Sequence, residues 1–143
     1  MSMSPNRTQP GGGSRLLVIA DDSPEMRYFV RSAIGDEFTE IVEVADGREL
    51  FMALVRSSFS HVKDRERERV IVTDLYMPTY DGLDVLDACQ ELDARAKTVL
   101  ITAFPSEAVR QRASELGAVL LAKPFSTAAL REVIRETGHG QRE

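Results

Sequence analysis

Five polar side chains end or follow short apolar runs of the sequence, and together they could hold a divalent cation beside a reactive carboxylate. The five are Asp21, Asp22, Asp74, Thr102 and Lys123. Three carboxylates within a few ångströms repel one another, and a hard cation such as Mg²⁺ relieves that repulsion. A carboxylate beside a metal ion and an ammonium group is suited to accept a phosphoryl group, because both cations neutralise the phosphoryl oxygens. The Thr102 hydroxyl could donate a further hydrogen bond.

The sequence pattern predicts that these side chains meet at one edge of a parallel sheet. Short apolar runs alternate with amphipathic helical patterns, so that five strands alternate with five helices. This order predicts an α/β fold with right-handed crossovers and with helices on both faces of the sheet. The strands are predicted over residues 16–20, 38–44, 70–73, 98–102 and 118–122. Ligands of such sheets bind beyond the carboxyl ends of the strands, where the five side chains lie.

Capping residues predict where the helices begin, and glycines predict where some of them end. Helix starts are predicted at Ser23, Asp46, Asp81, Ser106 and Ser126. The helix ends include Gly35, Gly117 and Gly138. On the third helix, the residues expected to face the core are Val85, Leu86, Cys89 and Leu92.

Composition predicts one globular domain between two short tails. The chain has 143 residues, of which 43% are hydrophobic and 29% charged, enough for one core with little room for a second. We expect flexible tails over residues 1–14 and 138–143, with the domain over residues 15–137. The apolar runs fall far short of the roughly 20 residues of a membrane span, and no signal-peptide pattern is present. A cytoplasmic protein is therefore expected.

The charge balance argues against direct binding of nucleic acid, because the formal net charge is -5. The charged stretch over residues 63–69 contains four bases and three acids, and we expect a helix extension or a solvated loop there. Cys89 is the single cysteine, which excludes an internal disulfide and favours a place in the core. His61 and His139 have no neighbouring motif that predicts catalysis.

The polar residues and their neighbours together resemble the bacterial response-regulator receiver family. The matching motifs are Asp21-Asp22, the stretch DLYMPTYDG over residues 74–82, Thr102-Ala103 and Lys123-Pro124-Phe125. They occur in order, each at a predicted strand end, and the resemblance covers roughly residues 15–137. It implies a flavodoxin-like, doubly wound five-stranded sheet in strand order 2-1-3-4-5, and a function in two-component signalling.

The resemblance also implies a role for each residue of the site. Asp74 is the expected phosphoacceptor. The cofactor would be Mg²⁺, for which Mn²⁺ could substitute, and its ligands would be Asp21, Asp22, Asp74 and the main-chain carbonyl of Tyr76. Thr102 would follow the phosphoryl group during switching, and Ala103 would keep the approach open. Lys123 would bridge to Asp74 or to its phosphoryl group, and the peptide bond before Pro124 would be cis.

Three residues modulate or depart from the pattern that the family implies. Leu120 stands where the family usually has a Tyr or Phe that takes part in switching, so the usual coupling to Thr102 is not expected in its ordinary form. Tyr76 and Phe104 carry bulky rings two residues after Asp74 and Thr102. Our hypothesis is that these rings hinder the water that would hydrolyse an aspartyl phosphate, and so lengthen its lifetime.

Three functions compete for this sequence. The leading one is a receiver that takes a phosphoryl group from a histidine kinase or a histidine phosphotransfer protein, and then changes its binding to a separate output protein. Such a domain is not an enzyme, beyond catalysing its own phosphorylation and dephosphorylation. The alternative is a degenerate receiver that acts as a phosphorylation-independent interaction module, which Leu120 alone supports. An aspartyl-phosphate phosphohydrolase would need a second aspartate where Tyr76 stands.

Simpler structural roles exist for some of these residues. Asp21 and Asp22 could cap the first helix and meet the positive end of its dipole. Thr102 could cap the turn that follows its strand.

Overall fold

Among the residues that the structure describes, five parallel strands form a single central sheet. This computed structural model describes residues 14–58, 68–90, 92 and 96–140. The strands are β1 (Arg15–Ala20), β2 (Glu40–Val44), β3 (Glu68–Asp74), β4 (Lys97–Thr102) and β5 (Val119–Ala122). They lie in the order β2-β1-β3-β4-β5. The predicted flavodoxin-like, doubly wound sheet and its strand order are therefore confirmed.

Five α-helices in the described part of the chain cover the two faces of this sheet. They are α1 (Pro24–Ile34), α2 (Gly47–Ser58), α3 (Gly82–Ala88), α4 (Glu107–Glu115) and α5 (Thr127–Gly140). Helices α1 and α5 cover one face, where Ile34 and Leu130 are fully buried in the same hydrophobic cluster. Helices α2, α3 and α4 cover the other face, to which they contribute Leu50, Leu86 and Ala113.

Strand β1 shows why the middle of the sheet is rigid. Its apolar residues 16–20 are all at most 3% exposed. Because helices cover both faces, successive side chains enter different cores. Leu17 and Ile19 pack in the cluster beneath α1 and α5, whereas Leu16 and Val18 pack in the cluster beneath α2. Burial of such side chains contributes roughly 1.5–3 kcal/mol each to folding, before conformational entropy is counted.

The predicted helix starts are confirmed by the hydrogen bonds that cap them. The hydroxyl oxygens of Ser23, Ser106 and Ser126 accept from main-chain amides three residues later, at 3.2, 3.2 and 3.0 Å. Asp81 caps α3 in the same way, with its carboxylate 2.8 Å from the Asp84 amide. At the start of α2, Asp46 accepts from the Glu49 amide at 2.8 Å. These caps set the points at which the chain turns from the strand ends into the helices.

Several predicted boundaries were wrong. Helix α3 ends at Ala88, so Leu92 lies beyond the helix and is 38% exposed instead of facing the core. Helix α5 continues through Gly138 to Gly140, because a glycine weakens a helix but does not break it. The charged stretch ends inside strand β3, where Arg69 is buried and donates to the Ser57 carbonyl at 3.0 Å. Residues 63–67, the N-terminal tail over 1–13 and residues 141–143 lie outside the described residues.

Two glycines allow the backbone after β3 to pack closely against its neighbours. A Cβ atom at Gly82 would lie 2.6 Å from the carbonyl oxygen of Asp74, and one at Gly47 would clash with the carbonyl oxygen of Tyr80. The Gly47 amide also donates to the Pro78 carbonyl at 3.1 Å. A larger residue at either position would push the backbone away, so the loop that follows Asp74 is held from two sides.

We predict that Gly82→Ala lowers the free energy of unfolding by about 1–3 kcal/mol, because the added methyl group overpacks the space below Asp74. Alanine is otherwise the better helix former, so helix propensity alone predicts the opposite sign. Urea unfolding measures the change. Ser32→Ala, at an exposed position of α1, is the control and should raise stability by at most about 0.5 kcal/mol. A Gly82→Ala protein as stable as the wild type would contradict the close approach.

Candidate functional site

Three carboxylates meet at the carboxyl edge of the sheet. The strand register pairs Ala20 of β1 with Thr73 of β3, so the next residues, Asp21 and Asp74, leave the sheet side by side. Carboxylate oxygens of Asp21, Asp22 and Asp74 all lie within 4.8 Å of one another. Asp21 and Asp74 are only 2% and 7% exposed, whereas Asp22 is exposed. The structure therefore brings these three side chains together, as the sequence predicted.

One buried carboxylate oxygen in this cluster has no hydrogen-bond donor among the described residues. Oδ1 of Asp21 accepts from the Ser23 amide at 2.9 Å. Oδ2 of Asp21 is buried, and no donor among the described residues reaches it. A buried carboxylate oxygen without a partner is costly, unless something else satisfies it. A cation at the centre of the three carboxylates would satisfy it, and an all-oxygen donor set is the kind that Mg²⁺ and Mn²⁺ take.

Lys123 supplies the positive charge of the site. It follows β5, and its Nζ lies 2.9 Å from Oδ1 of Asp74. Its main-chain amide donates to the Thr102 carbonyl at 2.8 Å, which holds the residue against the end of β4. The peptide bond between Lys123 and Pro124 is cis, as the resemblance implied. Three carboxylates and one ammonium group leave two negative charges unpaired, which a divalent cation would neutralise.

The pKa shifts of the site point the same way. Burial raises the pKa of Asp21 above its usual value of 3.8, and the Ser23 amide lowers it only in part. Burial also raises the pKa of Asp74, even though the hydrogen bond and the charge of Lys123 lower it. Burial would lower the pKa of Lys123, but the hydrogen bond to Asp74 and the surrounding carboxylates outweigh it and raise that pKa. The site therefore holds excess negative charge in surroundings that water solvates poorly.

Thr102 lies at the end of β4 and is 1% exposed. Its Oγ1 accepts from the amide of Phe104 at 3.0 Å, which is the turn-capping contact considered for this residue. In this bond the Phe104 amide donates and the Thr102 oxygen accepts. The hydroxyl hydrogen of Thr102 is not used, so it can still be donated to another group. Ala103 and Phe104 are both exposed, and the ring of Phe104 is 72% exposed.

Tyr76 and Leu120 border the site in different ways. The Tyr76 main-chain amide donates to the Asp74 carboxylate and lowers its pKa, while the Tyr76 side chain is 58% exposed. Leu120 is half-buried and packs in the apolar cluster of Leu100 and its neighbours. Leu120 stands directly beside Leu100 in the strand register. It therefore belongs to the core beneath α3 and α4. As an apolar side chain, it offers the carboxylates no hydrogen bond.

Residues that sequence reasoning missed lie behind the carboxylates. Arg27 of α1 donates through Nη1 to the main-chain carbonyl of Asp21 at 2.8 Å. Gly82 permits the approach of the α3 start to the Asp74 carbonyl. The sequence shows a basic residue, Arg27, one helical turn after the Ser23 cap. The partner of such a side chain depends on tertiary packing, so the contact with Asp21 could not be predicted. The carboxylates themselves were recognisable because strand ends are visible in the sequence.

The chain matches the model of the response regulator receiver domain over residues 17–135. That match covers most of the chain, so the protein belongs to the response regulator receiver domain family and is a receiver domain of two-component signalling. The family is a phosphoacceptor signalling module and not an enzyme in the ordinary sense.

Curated relatives agree with this assignment. The chain is 24% identical over 121 residues to sporulation initiation phosphotransferase F of Bacillus subtilis, covering 84% of this chain and 90% of that protein. It is 26% identical over 124 residues to the chemotaxis protein CheY of Halobacterium salinarum, covering 86% and 96%. It is 29% identical to the transcriptional regulatory protein TrcR of Mycobacterium tuberculosis, of which it spans only 49%.

Solved structures show the same fold. The chemotaxis response regulator CheY4 of Vibrio cholerae superposes with a TM-score of 0.69 at 24% identity, covering 87% of this chain and 99% of that one. A CheX-CheY complex with BeF3 and Mg²⁺ from Borrelia burgdorferi superposes with a TM-score of 0.74 at 22% identity, covering 87% and 89%. Within the described residues, no helix is long and apolar enough to cross a membrane.

We predict that Asp21→Asn stabilises the metal-free protein at neutral pH, by on the order of 1 kcal/mol. The folded-state pKa of Asp21 is raised, so the unfolded chain ionises first as the pH rises. Stability from this group is therefore complete below pH 3.8 and is lost as the pH rises through the folded-state pKa. The asparagine keeps an oxygen for the Ser23 amide without the charge.

Urea unfolding in a metal chelator at neutral pH and near pH 4 measures this effect. The difference between Asp21→Asn and the wild type should shrink at the lower pH. Asp36→Asn is the matched control, since Asp36 is exposed and lies far along the chain from the cluster. An Asp21→Asn protein that is less stable than the wild type at neutral pH would show that the carboxylate is not under electrostatic strain.

Proposed function

We propose that this receiver domain accepts a phosphoryl group on Asp74 from the phosphohistidine of a histidine kinase or of a histidine phosphotransfer protein. The observation that carries the proposal is the ion pair between Lys123 and Asp74 at 2.9 Å, beside two further carboxylates. A surface ion pair of this kind would be unremarkable on its own. Here it lies at the carboxyl edge of the sheet, with Asp74 nearly buried.

The cation site is part of the same proposal. Mg²⁺, or Mn²⁺ in its place, would be held by carboxylates of Asp21, Asp22 and Asp74 and by the main-chain carbonyl of Tyr76. When bound, the metal ion neutralises phosphoryl oxygens and the excess charge of the carboxylates. Oδ2 of Asp21, which is buried and has no donor among the described residues, supports such a site. One structural neighbour is a complex that contains BeF3 and Mg²⁺, which supports this proposal.

The residues of the chain have separate parts in the transfer. A carboxylate oxygen of Asp74 attacks phosphorus while the bond from phosphorus to the imidazole nitrogen breaks, and that bond's electron pair returns to the ring. Lys123 pairs with the charge of the phosphoryl oxygens as it builds up. Thr102 donates its hydroxyl hydrogen to one of these oxygens, and Ala103 leaves room for the incoming group. Nothing in this sequence of steps requires His61 or His139.

The output also follows from particular residues. Leu120 packs in the core and has no hydroxyl or ring to relocate, so the change at Thr102 is passed on through the chain segment that follows it. Phe104 is joined to the Thr102 hydroxyl by a hydrogen bond and carries an exposed ring. A separate output protein would read the resulting change of this surface.

We predict that a small phosphodonor such as acetyl phosphate, with Mg²⁺, adds one phosphoryl group per chain, as seen by intact mass. Asp74→Ala should abolish the adduct, and a metal chelator should suppress it. Asp36→Asn, an exposed acid outside the cluster, should leave it unchanged. No adduct on the wild type, with a donor that phosphorylates another receiver in parallel, would favour the phosphorylation-independent interaction module.

The lifetime of the adduct tests the role of the two exposed rings. Tyr76 and Phe104 lie two residues beyond Asp74 and Thr102, and both rings are largely exposed. If they hinder the attacking water, Tyr76→Asn and Phe104→Ala should each speed dephosphorylation by about tenfold, roughly 1.4 kcal/mol of barrier. The measurement is loss of the adduct after the donor is removed. Tyr28→Ala, which removes an exposed ring from α1, should leave the rate unchanged, and equal rates in all variants would refute the hypothesis.

A further inference from the structure

Arg27 connects the cation-site backbone to the neighbouring strand. Its Nη1 donates to the main-chain carbonyl of Asp21 at 2.8 Å, and its Nε lies 3.3 Å from Oε1 of Glu43 on β2. The Arg27 side chain is 20% exposed. Its guanidinium group therefore spans from the start of α1 to the end of β1 and to the edge strand. Such charge-assisted bonds are stronger than bonds between neutral groups.

The carbonyl that Arg27 holds has a special position. It belongs to the peptide unit between Asp21 and Asp22, and a peptide unit is planar. That plane contains the Cα atoms of both residues. Fixing the oxygen therefore fixes the plane, which constrains where both carboxylates lie. On the other side, the Asp21 amide donates to the Val44 carbonyl of β2 at 3.1 Å. The main chain of Asp21 is thus held at both of its polar groups.

The charge of Arg27 does not compete with a cation for the carboxylates. Its described hydrogen bonds go to a carbonyl and to Glu43, and none goes to a carboxylate of the cluster. Glu43 also accepts from Nη1 of Arg31 at 2.7 Å, so two arginines share one carboxylate. Only Arg27 of this pair has a described bond to Asp21. The two arginines therefore differ in the one contact that matters for the site.

We propose that Arg27 is a positioning residue for the divalent cation. It orients the peptide plane between Asp21 and Asp22 so that their carboxylates face Asp74. The inference rests on the cation site of the proposed function. It predicts that loss of Arg27 weakens metal binding even though Arg27 touches no carboxylate of the site. Partners that orient metal ligands from behind typically change metal affinity 10- to 100-fold, and we expect about tenfold here.

The test is the Kd for Mg²⁺ by calorimetry, with urea unfolding of each protein measured alongside. Arg27→Gln should raise the Kd about tenfold. Arg31→Gln is the matched control, because it loses a bond to the same Glu43 and should change the Kd less than about twofold. Arg27→Lys keeps the charge but lacks the separate guanidinium nitrogens that reach the Asp21 carbonyl and Glu43 together. The Kd of this variant should therefore also rise while the protein remains folded.

The outcomes separate the inference from the proposed function. An unchanged Kd in both Arg27→Gln and Arg27→Lys would overturn the positioning role and leave the cation site standing. An equal rise in Arg31→Gln would also overturn it, because the effect would then belong to Glu43 or to net charge. If the wild type binds no Mg²⁺, or if Asp22→Asn binds it as tightly, the cation site fails and this inference fails with it.

Discussion

Electrostatic repulsion among three carboxylates at a buried sheet edge is the constraint on which the rest of the site depends. Two like charges about 4 Å apart repel by several kcal/mol near a protein surface. Lys123 cancels one charge at 2.9 Å, and main-chain amides of Ser23 and Tyr76 donate to Asp21 and Asp74. The pKa of both buried acids nevertheless stays raised. The fold therefore leaves excess negative charge at the site, and a bound cation would lower the free energy of that charged state.

Tolerance of that repulsion comes from the two central strands. β1 and β3 are covered on both faces, and their register sets Asp21 and Asp74 side by side. Moving these two strands apart to relieve the repulsion would disturb a close-packed core. The glycines at 47 and 82 restrain the loop after β3 in the same sense, since their neighbours approach too closely for any side chain.

The alternation of strands and helices, the helix starts and the five polar residues of the site could be predicted, because hydrophobic period, capping chemistry and strand ends are local features. The strand order was implied by the family resemblance, because it depends on how distant strands pair. Ser23 and Asp81, for example, cap helices as expected. Helix ends were less predictable: Leu92 continues the apolar period but lies beyond α3, and Gly138 did not end α5. Arg27 was missed because its two partners, Asp21 and Glu43, come together only when β1 pairs with β2.

The carboxylate site and the surface beside it depend on the fold to different degrees. The carboxylate site needs residues at strand ends, which the sheet brings together whatever the surface carries. The sheet does not bring neighbouring side chains such as Leu120 and Phe104 into the site in this way. Leu120 is tied into an apolar cluster, whereas Phe104 is 72% exposed and joined to Thr102 by one hydrogen bond. The loop that carries Phe104 is therefore held by less apolar packing than Leu120 of β5, and regions with few buried contacts open at lower cost.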